Sequence, residues 1–219
     1  MNLVIFGVSN QLGHILDCAV ALGLTPTLVV MNMPEVLRPR TKGVTDRLML
    51  LQDPPKIIQM EEFSPDEGEC YFLGTTAPNR RQLVEEIERR FGITCCNLVH
   101  PMACISPHAV LASGVYVSAF ATIGPGAQIG EQVAIYTKVH VGHDTIVEPY
   151  AMLRTGCNVA GHVRVGYGAT VGMAATVIEE LEIGAEATVA AGAVVIEDVP
   201  PRTLVAGVPA KFKRTYRSS

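Results

Sequence analysis

From residue 105 to residue 195 every sixth position is Ile, Leu or Val: the series starts Ile105, Leu111, Val117, Ile123 and runs unbroken to Ile183, Val189, Val195. Two residues before each lies a second apolar position, mostly small, as at Ala103, Ala109, Ala121, Cys157 and Ala193. An α-helix cannot keep a six-residue period on one face, and a plain strand repeats every two. A six-residue period fits a triangular prism in which each hexapeptide forms one flat side and one corner, three hexapeptides making a coil. The aliphatic residue is expected to point to the axis and the small one to sit near the corner. Gly often follows the aliphatic position, as at Gly124, Gly142 and Gly166, and is expected to ease the turn. Coils stack at about 4.8 Å, so residues eighteen apart become spatial neighbours.

The first hundred residues follow a different pattern. Short apolar runs at Asn2–Phe6, Thr27–Met31, Lys56–Met60, Cys70–Leu73 and Thr94–Val99 read as strands. Helical spacing appears over Leu12–Leu22, stopped by Gly23, and over Pro78–Phe91, stopped by Gly92. Residues 32–55 hold Pro34, Pro39, Pro54 and Pro55 and read as irregular. Such alternation predicts a parallel sheet with crossover helices. The fold class is therefore an α/β Rossmann-like domain over 1–102, an all-β parallel β-helix over 103–196 and a C-terminal tail over 197–219.

Composition narrows the function. Hydrophobic residues make up 48% of the chain, aromatics 5%, and Trp is absent, which suits narrow repetitive packing. The formal charge of −4 leaves no basic excess to follow a phosphate backbone, so no nucleic acid partner is expected. The N-terminus does not resemble a signal peptide. No apolar run approaches the roughly 18–20 residues that cross a bilayer, so no membrane insertion and a cytoplasmic location are expected. The six cysteines show no metal-site spacing, and Cys95 and Cys96, in an apolar run, read as small buried hydrophobes.

Reactive side chains stand out against the repeats. His143 and Asp144 are adjacent at one corner, and one coil later the same corner holds Gly161 and His162. By the same arithmetic His140 stacks on Asn158. A histidine is suited to general base work, because its unperturbed pKa lies near 6.5. Asp144 is the nearest carboxylate to hold it. Gly161 leaves room for a thioester and offers a backbone N–H to an oxyanion. A polar turn pair without chemistry is the other reading of the same residues.

The chain resembles the bacterial sugar O- and N-acyltransferases, including sialic acid O-acetyltransferases and acetyltransferases of UDP-4-amino sugars. The resemblance rests on Leu98-Val99-His100-Pro101-Met102-Ala103, Val141-Gly142-His143-Asp144, Ala160-Gly161-His162-Val163, Gly184-Ala185 through Val195, Asp198-Val199-Pro200 and Ala206-Gly207-Val208-Pro209-Ala210-Lys211. It implies a left-handed coil, His143 as base, Asp144 as its partner and Gly161 as oxyanion donor. It also implies acetyl-CoA as donor co-substrate, no metal, a homotrimer, and a nucleotide-sugar acceptor in surface glycan biosynthesis. Some relatives carry a second histidine nine residues after the base; here that position is Met152, so His162 or His140 becomes a candidate for acyl-CoA handling. The first glycine loop, Gly7-Val8-Ser9-Asn10-Gln11-Leu12-Gly13-His14, is about two residues longer than is usual in the family. With Gly74 it supplies the candidate acceptor contacts Gly7, Ser9, Asn10 and Gly13. The second glycine stretch runs Gly74 to Arg80 and matches loosely. His14 and His100 read as structural.

Two other functions fit parts of the pattern. A zinc hydratase resembling γ-class carbonic anhydrases would need His140, His143 and His162 as ligands, but their offsets do not match that family's. A binding or scaffold protein could keep the fold without the chemistry.

Overall fold

The structure is a computed structural model that describes residues 1–33, 43–49, 51–75 and 80–216. The chain divides into two compact units, Met1–Leu98 and Val99–Ser219.

The first unit is a four-stranded parallel sheet with helices. Its elements are β1 (Asn2–Phe6), α1 (Leu12–Ala21), β2 (Thr25–Met31), α2 (Val44–Leu48), β3 (Lys56–Gln59), β4 (Cys70–Leu73) and α3 (Arg80–Phe91). The sheet order is β3-β2-β1-β4. Leu3, Val4, Ile5 and Phe6 are fully buried, as a central parallel strand covered on both faces requires. The chain leaves β1 to one side and later returns to its other side, so β1 and β4 flank a topological switch point. The short α2 falls in the stretch that reads as irregular; the remainder of that stretch at 34–42 and 50, and the expected helix start at Pro78–Asn79, lie outside the described residues.

Two sequence expectations fail here. Thr94–Asn97 is not strand; only Leu98–Val99, β5, is. The run instead makes one backbone bond to β4, Cys96 N–H to Tyr71 O at 2.9 Å. That contact brings Cys96 to Cys70, and the two form a disulfide with Cα atoms 6.1 Å apart. Neither is therefore a buried free thiol. Cys18, Cys95 and Cys157 are buried and free, whereas Cys104 is exposed.

The second unit is a left-handed parallel β-helix. Sixteen two-residue strands follow at six-residue intervals, from β6 (Cys104–Ile105) to β21 (Val194–Val195). Strands eighteen residues apart pair in register, as Gln128↔Ile146 and His140↔Asn158 do. Three faces result. One face carries His140, one carries Ile146, and one carries Met152. From Val115 onward the inward positions, except the half-buried Leu181, are interior: Val139 with Val141, Cys157 with Val159, and Ala175 with Val177 are essentially sealed. The residue between them points outward, because side chains alternate along a strand.

The glycines that follow the aliphatic positions have a different job from the expected one. Their φ angles are not positive. A Cβ at Gly124 would come within 2.8 Å of His143 N, and one at Gly142 within 2.5 Å of the Ala160 carbonyl carbon. These glycines let neighbouring coils approach. The turn itself is made two residues later, where Gly126, Lys138, Asp144, Gly156 and His162 all have φ between 55° and 72°.

The expected tail continues the stack. Val199 bridges to Ile183, and Thr203–Ala206 (β22) pairs with Thr188–Val189 (β20). Lys211–Thr215 (β23) then folds back antiparallel on β22.

Candidate functional site

The chemistry-bearing corner is shaped by backbone that most residues avoid. Asp144 has φ 55° and His162 has φ 57°, in the left-handed region where Asp is among the better tolerated residues. The corners are pinned to one another by backbone bonds. Asp144 N–H donates to Pro125 O at 2.9 Å, and His162 N–H donates to His143 O at 3.0 Å.

In this geometry Asp144 Oδ2 lies 2.9 Å from His143 Nδ1. An ionised carboxylate accepts only, so the pair places the imidazole hydrogen on Nδ1 and leaves the Nε2 lone pair open. The ring lies against Gly161: a Cβ there would sit 2.6 Å from Nε2. The His162 ring meets the His143 ring edge to face with centroids 5.0 Å apart. His162 Nε2 is 4.0 Å from Asp144 Oδ2. All three side chains are about half exposed, at 52%, 55% and 54% for His143, Asp144 and His162.

An open groove of about 670 Å³ runs beside this corner, lined by Gly124, His140, His143, Asn158, Gly161 and Glu179 among others. His140 is on its wall, with Nδ1 2.8 Å from Thr122 Oγ1. Met152 is not part of it. Nine residues are half a coil, so Met152 falls on another face, where Arg154 donates to its sulfur at 3.4 Å. His100 accepts the Met102 N–H at 3.1 Å and braces a turn.

The glycine loop residues of the first unit gather at the ends of β1 and β4. Gly7 has φ 70°, its N–H bonds Val30 O at 2.8 Å, and Gly74 N–H bonds Phe6 O at 2.8 Å. Ser9 Oγ donates to Gly74 O at 3.1 Å. A Cβ on Gly74 would collide with Gly7 O, so the two glycines allow the adjacent loops to touch. Asn10 is held differently, by Arg47, which donates to its Oδ1 at 3.3 Å. Gly13 lies in the first turn of α1, where a Cβ would touch the Arg47 guanidinium at 3.8 Å. Thr76–Asn79 of the second glycine stretch lie outside the described residues.

For a metal, His143, Asp144 and His162 offer ligand atoms within 4.8 Å of one another, the one such group among the described residues. His140 is not among them, so the trio His140, His143 and His162 is not assembled. Sequence reasoning missed two contributors. One is Thr145 beneath the corner, the other Thr176, which continues the His140–Asn158 row along the groove. Thr145 was detectable as the hydroxyl in an apolar column; Thr176 needed knowledge of which face bears the groove.

A six-residue β-helix and a small α/β unit, with a His–Asp corner beside a groove of the β-helix, resemble the hexapeptide-repeat sugar acetyltransferases of known structure. Solved structures make the likeness specific. PerB from Caulobacter crescentus, in complex with CoA and GDP-perosamine, is 29% identical, with 98% of each chain covered and a TM-score of 0.81. A single-residue variant of perosamine N-acetyltransferase from the same organism, also with CoA and GDP-perosamine, is 27% identical over 98% of this chain and 97% of that one, TM-score 0.80. The acetyltransferase domain of PglB from Neisseria gonorrhoeae FA1090, in complex with acetyl coenzyme A, is 26% identical over 97% and 98%, TM-score 0.80. No family model and no curated protein sequence matches the chain.

Proposed function

We propose that the protein transfers an acyl group, acetyl in the first instance, from CoA to an amino or hydroxyl group of a nucleotide-activated sugar used in surface glycan synthesis. The observation that carries this reading is the His143–Asp144 pair, 2.9 Å apart and turned toward Gly161 beside an open groove. His143 Nε2 removes the proton from the acceptor as its nitrogen or oxygen attacks the thioester carbon. The Gly161 N–H receives the developing oxyanion, which a preorganised donor stabilises more than it stabilises the ground state. Collapse of the tetrahedral intermediate expels the CoA thiolate, which takes the proton back from the imidazolium. Asp144 supports the charged imidazole throughout. His162, edge to face with His143, belongs to the acyl-CoA side of the site.

The acceptor reading rests on Gly7, Ser9, Asn10, Gly13 and Gly74, three of which, Gly7, Ser9 and Gly74, meet at a switch point of the kind where α/β sheets bind nucleotides. GDP-perosamine in the PerB complex supports a nucleotide sugar. A homotrimer in the cytoplasm completes the proposal. Light scattering that gives a monomer at working concentration would remove the trimer.

The deciding experiment is thiol release from acetyl-CoA in the presence of a panel of nucleotide sugars. Release that depends on one sugar supports the reading; none with any sugar supports a scaffold. The His143–Asp144–His162 cluster keeps a zinc-dependent activity as the second reading, and metal analysis of the purified protein tests it.

A further inference from the structure

The interior of the β-helix is apolar at every inward position but one. Among the sixteen residues that precede the aliphatics by two, Thr145 alone carries a hydroxyl, and it is completely buried. A hydroxyl in such surroundings is costly unless it is hydrogen-bonded. Thr145 Oγ1 donates to Ala160 O at 2.8 Å and lies 3.4 Å from His143 O. It has one hydrogen to give, and the shorter contact takes it.

The identity of that acceptor matters. The Ala160 carbonyl and the Gly161 N–H are two ends of one planar trans peptide and point in opposite directions. A carbonyl held inward by Thr145 therefore holds the Gly161 N–H outward. Among the described residues nothing accepts from that N–H. At corners such as Gly124, Gly166 and Gly172, the equivalent carbonyl accepts from the N–H three residues on. Ala160 O receives no backbone donor among the described residues, so Thr145 is what orients this peptide.

We infer that Thr145 is a positioning residue for acyl transfer: its buried hydroxyl sets the direction of the Gly161 N–H that meets the thioester oxyanion. The inference rests on the acyl-transfer reading above. It goes beyond that reading in giving an interior side chain a part in a reaction that takes place outside the prism.

The test compares Thr145→Val, which keeps the shape and removes the hydroxyl, with Thr145→Ser, which keeps the hydroxyl. Loss of an oxyanion donor costs about 10²–10³-fold in kcat, and a donor left in place but released should cost less, about tenfold. The valine variant should thus lose kcat about tenfold and kcat/KM equally, because the interaction exists only in the transition state. KM for acetyl-CoA and the midpoint of the pH–rate profile should be unchanged, and the serine variant should restore kcat. Circular dichroism establishes folding, and Thr145→Ala is the substitute if valine does not fold, since Ala fills most equivalent positions. Wild-type kcat in the valine variant overturns the inference. So does a shifted pH midpoint, which would place the effect on the base, or a folded serine variant that stays slow. The failures are separable: if His143→Ala abolishes transfer while Thr145→Val does not, the inference alone falls.

Discussion

Asp144 folds back on the residue immediately before it, so that its carboxylate meets His143 Nδ1 at 2.9 Å. Sequence neighbours in an extended strand point to opposite faces. The left-handed φ of Asp144 at the corner removes that constraint. His143→Ala should lower kcat by about 10²–10⁴-fold, the range for a positioned acid–base group, with little change in acetyl-CoA affinity. Asp144→Asn should cost less, since the amide still fills the place but cannot support the imidazolium. Steady-state kinetics with the sugar found in the thiol-release panel measure both. Near-normal turnover of His143→Ala would move the base elsewhere.

Gly161→Ala tests the space above the ring. The new Cβ would lie 2.6 Å from His143 Nε2. The imidazole is exposed and can swing aside, so the fold should survive with a thermal midpoint within a few degrees. Turnover should fall at least tenfold. Full activity would show that the thioester does not pass over Gly161.

Thiol counting checks the cysteines. In denaturant without reductant the protein should show four reactive thiols, Cys18, Cys95, Cys104 and Cys157, and the Cys70–Cys96 pair should add two more after reduction. Under native conditions Cys104 should react first, because the other three are buried. Six thiols without reductant would mean that the disulfide is open in the protein as isolated.

Burial pushes the Cys157 thiol up to about 12 from an ordinary 9.0. The folded state therefore keeps a proton that the unfolded chain releases above pH 9. By linkage the stabilisation is complete below that pH and is lost as pH rises toward 12. The thermal midpoint should fall over this alkaline range, and Cys157→Ala should flatten the fall relative to wild type. A parallel decline in both proteins would place the effect on other groups.

The β-helix was legible because two columns, the aliphatic and the small one, repeat together from Ala103 to Val195. Coil arithmetic also placed His140 on Asn158 and His143 beside Gly161. Features that depend on where chain segments meet were not legible. The Cys70–Cys96 bond spans 26 residues and follows from a single backbone contact at Tyr71. Thr94–Asn97 looks like a strand by composition but makes only one backbone bond, from Cys96 N–H to Tyr71 O, at the outer edge of β4. The role of Gly124 and Gly142 was misplaced because close approach and positive φ both select glycine, and only geometry separates them.

The unbroken register gives every outward side chain a coordinate: a face, and a rung number along the axis. Thr122, His140, Asn158 and Thr176 occupy one such line, each in register with the next. A change of residue on that line alters the chemistry at one height of the groove and leaves the neighbouring backbone where it was. The chemistry of the groove can thus be retuned by point substitution, rung by rung, without inventing a new loop.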